Sequence, residues 1–102
     1  MGTWHVDLQS DVATHDENLN RILGLDAVET QGSLHDPDFT RIHPGDLPRV
    51  MTAIDDAIAA RAEYGLEYRV VRPGGEIRWL QDRGRIVLDA DGAPRFAGSP
   101  TR

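Results

Sequence analysis

Four histidines, seventeen acidic residues and the serines Ser10, Ser33 and Ser99 are the groups in this chain that could do chemistry. Imidazoles and carboxylates at the right spacing hold metals or move protons. A hydroxyl beside a base attacks carbonyls. The spacing supports neither. No pair among His5, His15, His35 and His43 has the i, i+4 separation of a helical metal site. His35-Asp36-Pro37-Asp38 offers imidazole and oxygen ligands, but its residue types are those of a solvated loop. His43 reads as an anchor that hydrogen-bonds at the entry to a helix. The three serines lie in turns without the strand–turn–helix setting of a nucleophile elbow. Most acidic residues sit at caps and turns, where they have local structural roles. There is no Cys and no Lys. That excludes thiolate metal sites, Cys nucleophiles, disulfides, Schiff bases and phosphate-binding P-loops. Pro73-Gly74-Gly75 is a hairpin turn. No catalytic and no metal residues are assigned, and the chain is not expected to be an enzyme by itself.

The 102 residues are expected to form one domain, 1–102, with no linker, repeat or low-complexity segment. A hydrophobic content of 39% and a charged content of 27% are those of an ordinary globular chain. The net charge of −6 argues against nucleic-acid binding, which needs a basic face. No apolar run is long enough to span a membrane, and no signal peptide is recognisable. The expected location is cytoplasmic, with a membrane-anchored parent still open. Basic residues that are all Arg, among many Ala, Gly and Asp, suggest a GC-rich bacterial genome.

These groups need elements to position them. Trp4, Val6 and Leu8 alternate as on a strand, with a short second strand at Val12-Ala13. Thr14 and Glu17 have capping-box spacing ahead of Leu19, Ile22 and Leu23, and Gly24 stops that helix. Residues 25–43 read as loop and single-turn helices, broken by Pro37. Asp46 and Pro48 open a longer helix whose apolar stripe is Leu47, Val50, Met51, Ile54 and Ile58, ended by Gly65. Two strands follow around Pro73-Gly74-Gly75. On the first arm Tyr68 and Val70 are expected to face inward. On the second arm Ile77, Trp79 and Gln81 are expected inward, with Arg78 and Leu80 outward. The second arm continues past Gly84 to Leu88, and Asp91-Gly92 turns into a last strand at Arg95-Phe96-Ala97. Helices between strands, all on one face of an antiparallel sheet, make an α+β fold.

Ile42-His43-Pro44-x-Asp46, Glu67-Tyr68-Arg69-Val70, Gly74-Gly75-Glu76-Ile77-Arg78-Trp79 and Arg83-Gly84-Arg85-Ile86-Val87 occur in a specific order. With Trp4-x-x-Asp7-Leu8 and Arg21-Ile22-Leu23-Gly24, they make the chain resemble the PAS fold. The likeness is specifically to the subfamily common in bacterial sensor histidine kinases and diguanylate cyclases. The resemblance implies a five-stranded antiparallel sheet with short helices and one longer helix packed on one face. It also implies a sensory or dimerisation domain attached to an effector, a histidine kinase first and a diguanylate cyclase second, often as a homodimer. In that family an Asp-x-Thr motif follows the last strand. Here Gly98-Ser99-Pro100-Thr101-Arg102 stands in its place, with Arg102 near the Asp position. Either the chain is cut at the domain edge or its output connection is atypical.

On this resemblance, a small-molecule pocket would be lined by Trp4, Ile22, Met51, Ile54, Ile58, Tyr68, Val70, Trp79 and Gln81, with Val6 beside them. The same residues could equally serve as plain core. The ligand is unknown. A light-sensing flavin photocycle needs a Cys and is excluded. Haem is not expected, because no axial His lies between Asp46 and Arg61. The open sheet face, with Arg69, Val71, Arg78 and Leu80, would be the dimer or effector surface, and Leu80→Arg would weaken it. The alternatives are a ligand-free interaction module and a small-molecule-binding α+β enzyme.

Overall fold

The computed structural model of the chain describes residues 2–101. Its elements are β1 (Trp4–Asp7), β2 (Ala13–His15), α1 (Glu17–Ile22), β3 (Thr30–Gly32), α2 (Pro37–Thr40), α3 (Leu47–Ala60), β4 (Tyr64–Val71), β5 (Ile77–Leu88) and β6 (Pro94–Gly98). The strands form one antiparallel sheet in the order β3-β2-β1-β6-β5-β4. The first and last strands therefore lie side by side at its centre, Trp4 opposite Gly98 and Val6 opposite Phe96. The core fills the space between this sheet and α3. Val50, Ile54 and Ala57 are the buried face of α3, and they meet Tyr68, Val70, Leu80 and Phe96 of the sheet.

The α+β architecture is the expected one, with local differences. A sixth strand, β3, forms in the segment read as loop. Gly32 lets the Phe39 ring lie against its backbone, where a Cβ would come within 2.6 Å of that ring. His15 ends β2, so Asp16 and not Thr14 caps α1. Its Oδ1 accepts from the Leu19 N–H at 2.7 Å and the Thr3 N–H at 3.1 Å. Its Oδ2 accepts from the Thr3 hydroxyl at 2.8 Å. A carboxylate facing first-turn amides outcompetes a threonine cap when it also ties down β1. Pro37 opens α2 instead of breaking it, because Asp36 caps the Asp38 N–H and the missing proline donor falls in the first turn. The helix α3 ends at Arg61, in the left-handed region at φ 51°, and Gly65 lies inside β4.

The largest difference is the facing of β5. Val71 pairs with Ile77, Tyr68 with Leu80 and Tyr64 with Gly84, leaving residues 72–76 as the turn. Directly paired residues share a face, and a one-residue change of register swaps every side chain. The turn is held by the Arg72 N–H on the Glu76 carbonyl and by Gly75 at φ 88°. That turn length sets Leu80, not Trp79 or Gln81, beside Tyr68. Trp79 is 59% exposed and Leu80 1%. Gln81 is exposed as well. Arg78 stands opposite Val70 on the inner face, at the end of the sheet, and pairs with Glu76 at 2.9 Å. The inward placement of Ile77, Trp79 and Gln81 and the outward placement of Arg78 and Leu80 are thereby corrected. A Leu80→Arg change tests folding, not a surface. Truncating buried Leu80 to Ala should cost about 2–5 kcal/mol in urea denaturation. Truncating exposed Gln81 to Ala should cost less than about 0.5 kcal/mol. The reverse order of effects would mean the opposite register.

Candidate functional site

Between α3 and the sheet lies an internal cavity of about 20 Å³, close to the space one water needs. Of the residues expected to line a pocket, Trp4, Met51, Ile54, Tyr68 and Val70 line this one. Ile22 and Ile58 pack half-buried against the same core, and Val6 is buried within it. Trp79 and Gln81 lie outside, on the other sheet face.

Among the wall residues that the sequence did not place in a pocket are Leu80, Asp82 and His15. Asp82 is 1% exposed. It follows Leu80 on the inner face of β5 by strand alternation, so the register that buries Leu80 also buries a carboxylate. The Trp4 indole reaches it from β1 by crossing the intervening strand at Gly98, where any Cβ would run into the ring. Trp4 Nε1 donates to Asp82 Oδ2 at 2.9 Å, and the Tyr68 hydroxyl donates to the same oxygen at 3.1 Å. Among the described residues Oδ1 has no hydrogen-bond partner. Burial pushes the Asp82 carboxyl up to about 6, while the Trp4 and Tyr68 hydrogen bonds and the nearby Arg83 and Ser99 backbone amides pull it down. Burial first, and the nearby Asp82 charge second, also push the Tyr68 and Tyr64 hydroxyls upward.

His15 is the direct partner of Trp4 across β1 and β2, so it shares the inner face. Its ring lies 4.2 Å from that of Phe39, and its Nδ1 has no partner. Burial pushes it down to about 4, against a weaker upward pull from Asp16, so it is neutral at pH 7. The inner face thus carries a row of polar groups, His15, Trp4, Asp82 and Tyr68, under aliphatic side chains of α3.

A second polar cluster closes the outer edge. Asp46 does not cap α3 with its side chain. Its Oδ2 accepts from the Arg69 backbone N–H at 2.8 Å and from Arg69 Nε at 3.0 Å, while Oδ1 accepts from the Arg69 guanidinium at 2.8 Å. Those guanidinium bonds hold the Asp46 carboxyl well below the usual range. The Arg69 guanidinium also lies 5.7 Å from the centre of the exposed Trp79 ring. Arg72 and Arg78 both pair with Glu76.

The other candidate groups are engaged locally. His43 Nδ1 accepts from the Gly45 N–H at 2.9 Å, and its carbonyl accepts from the Asp46 and Leu47 amides at the start of α3. Ser10 and Ser33 hydroxyls accept backbone amides, and Ser99 donates to the Gly2 carbonyl. Among the described residues no three potential ligands cluster as a metal site. No helix among them is long and apolar enough to cross a membrane.

The described residues form an antiparallel sheet cupping helices over a small cavity. Residues 12–99 match the PAS fold family, and the chain belongs to it. It is 24% identical over 95 residues to the sensor protein FixL of Bradyrhizobium diazoefficiens, covering 93% of this chain and 18% of FixL. The chain spans less than a fifth of the length of the curated relatives it matches. A sensory box histidine kinase/response regulator from Burkholderia thailandensis superposes with a TM-score of 0.75 at 26% identity, over 98% of this chain and 74% of that one. The N-terminal domain of a diguanylate cyclase with a PAS/PAC sensor from Marinobacter aquaeolei superposes with a TM-score of 0.74 at 20% identity, over 98% of this chain and 92% of that one. A PAS domain is a sensory module and not itself catalytic.

Buried Asp82 and buried His15 make opposed contributions to stability. Asp82 keeps its proton to higher pH when folded. Its contribution is therefore fully present below about 4 and is lost as pH rises to about 6. His15 resists protonation when folded, so its contribution is present above about 6.5 and is lost as pH falls towards about 4. Asp82→Asn removes the first and leaves the second unopposed. Urea denaturation between about pH 4 and about pH 6 should show the variant gaining on the wild type by up to about 3 kcal/mol. Parallel stability curves would contradict the buried, proton-retaining Asp82.

Proposed function

We propose that this chain is the sensory domain, residues 1–102, of a bacterial signal-transduction protein, and that the state of its cavity is relayed to an attached effector. The observation that carries this is the Trp4–Asp82–Tyr68 connection. It runs from the cavity wall to β1, which lies against β6, the strands nearest the two chain ends. Beyond β6, Thr101 and Gln81 exchange backbone hydrogen bonds at 2.7 Å, so the last described residues rest on the same strand as Asp82. A ligand or partner that favours one arrangement of these strands biases whatever follows them.

The effector is a histidine kinase in the first instance and a diguanylate cyclase in the second, by likeness to the Burkholderia and Marinobacter proteins. The domain works as a cytoplasmic homodimer through the outer sheet face, where Arg69, Val71 and the exposed Trp79 and Ile77 stand. A cavity of about 20 Å³ favours a second reading, in which the domain takes no ligand and senses only a protein partner.

The full-length parent separates these readings. Substituting Met51→Phe or Asp82→Asn should change effector output, autophosphorylation or cyclic dinucleotide synthesis, severalfold if the cavity is the input. Unchanged output in both variants would leave only the interaction reading. Trp79→Asp should weaken self-association about tenfold in sedimentation equilibrium. An unaltered dimer constant would remove the outer face from the account.

A further inference from the structure

The cavity wall is asymmetric in charge. Its ionisable members are Asp82, Tyr68 and His15, and no Arg lines it. The groups acting on Asp82 are Trp4 on β1, Tyr68 and Tyr64 on β4 and the backbone amides of Arg83 and Ser99, and neutral His15 on β2 lines the same cavity. From α3 come only Val50, Met51 and Ile54. Asp82 and His15 both line the cavity, and among the described residues Asp82 Oδ1 and His15 Nδ1 have no hydrogen-bond partner. A buried acceptor without a donor costs free energy, and a buried carboxylate without a counter-charge costs more. An anionic ligand would meet the carboxylate head-on. A purely apolar ligand would leave Oδ1 unpaired. A ligand with N–H donors and a positive charge corrects both deficits, and the aliphatic side chains of Leu19, Ile54, Val70 and Leu80 suit a short hydrocarbon tail.

We propose that the ligand class of this cavity is the small alkyl amine, its ammonium donating to Asp82 Oδ1 and its tail lying against α3; this rests on the cavity being the sensor's input site. The present space is close to that of an ammonium head alone. The tail takes room from half-buried Met51 and Leu34, and Met51 is unbranched and turns readily.

The two tryptophans give the test its readout. The Trp4 indole N–H is bound to Asp82, whereas the Trp79 indole is exposed on the other sheet face. Butylammonium chloride, 1-butanol and sodium butyrate would each be titrated into the chain while both indole N–H resonances are followed by NMR. The proposal expects butylammonium alone to shift Trp4 saturably while Trp79 stays fixed. Its affinity should fall about tenfold for each pH unit below about 6, as Asp82 takes up a proton. Asp82→Asn should weaken it about thirtyfold or more. If that variant does not fold, the pH series on the wild type decides. Butanol or butyrate binding as well as the amine would overturn the amine class and leave the cavity as an input site. Amine binding that ignores both pH and Asp82→Asn would do the same. No Trp4 shift with any of the three would overturn the amine class and the ligand-input reading together.

Discussion

A carboxylate inside a domain of this size constrains everything near it. Asp82 is as buried as the leucine two residues before it, and the charged form is tolerable only with donors in place. Two arrive, the Trp4 indole from β1 and the Tyr68 hydroxyl from β4, both at one oxygen. Each such bond to a charged group is worth about 1.5–3 kcal/mol. The indole can reach only if the strand between carries no side chain at the crossing, and Gly98 supplies that. One polar contact therefore fixes strand order, register and a glycine. The two bonds hold the carboxyl in place, while burial keeps it close to protonation.

The rest of the frame protects that arrangement. The outer edge of β4 is closed where the Val71 amide donates to the Arg41 carbonyl, the His43 amide to the Arg69 carbonyl and the Arg69 amide to Asp46. An edge strand paired in this way offers little to a stray chain over those residues. The closure also fixes the start of α3, since the segment that covers the edge leads directly into the helix that covers the cavity. Trp79 is left on the outer face with the Arg69 guanidinium near its ring, so the largest exposed aromatic is positioned and not merely solvated.

Much of this was legible in the sequence. The stripe from Leu47 to Ile58 marked α3, and the order of strands and helices marked the α+β fold and its family. The facing of β5 was not legible by polarity. Aromatic Trp79 suggests an interior and charged Asp82 suggests solvent, yet the structure reverses both. The signal that decides is geometric. Five residues between Val71 and Ile77 put even-numbered positions opposite even-numbered positions, so Tyr68 and Val70 carry Leu80 and Arg78 with them. A turn one residue shorter would have produced the expected facing. His15 was hidden for a related reason. Its place opposite Trp4 depends on β2 running to residue 15, where local capping signals favoured an earlier helix start. Arg102, at the position of the family's output motif, lies outside the described residues.

The proposed coupling of the cavity to the central strands, like the other functional proposals, depends on the Asp82 carboxylate being buried and close to its protonation threshold. A carbon-13 NMR titration of the Asp82 side-chain carboxyl, assigned with Asp82→Asn, measures this directly. The account predicts a midpoint near 6, with the Trp4 indole N–H moving at the same midpoint. A midpoint at the ordinary value of 3.8, with an unmoved Trp4 indole, would contradict it.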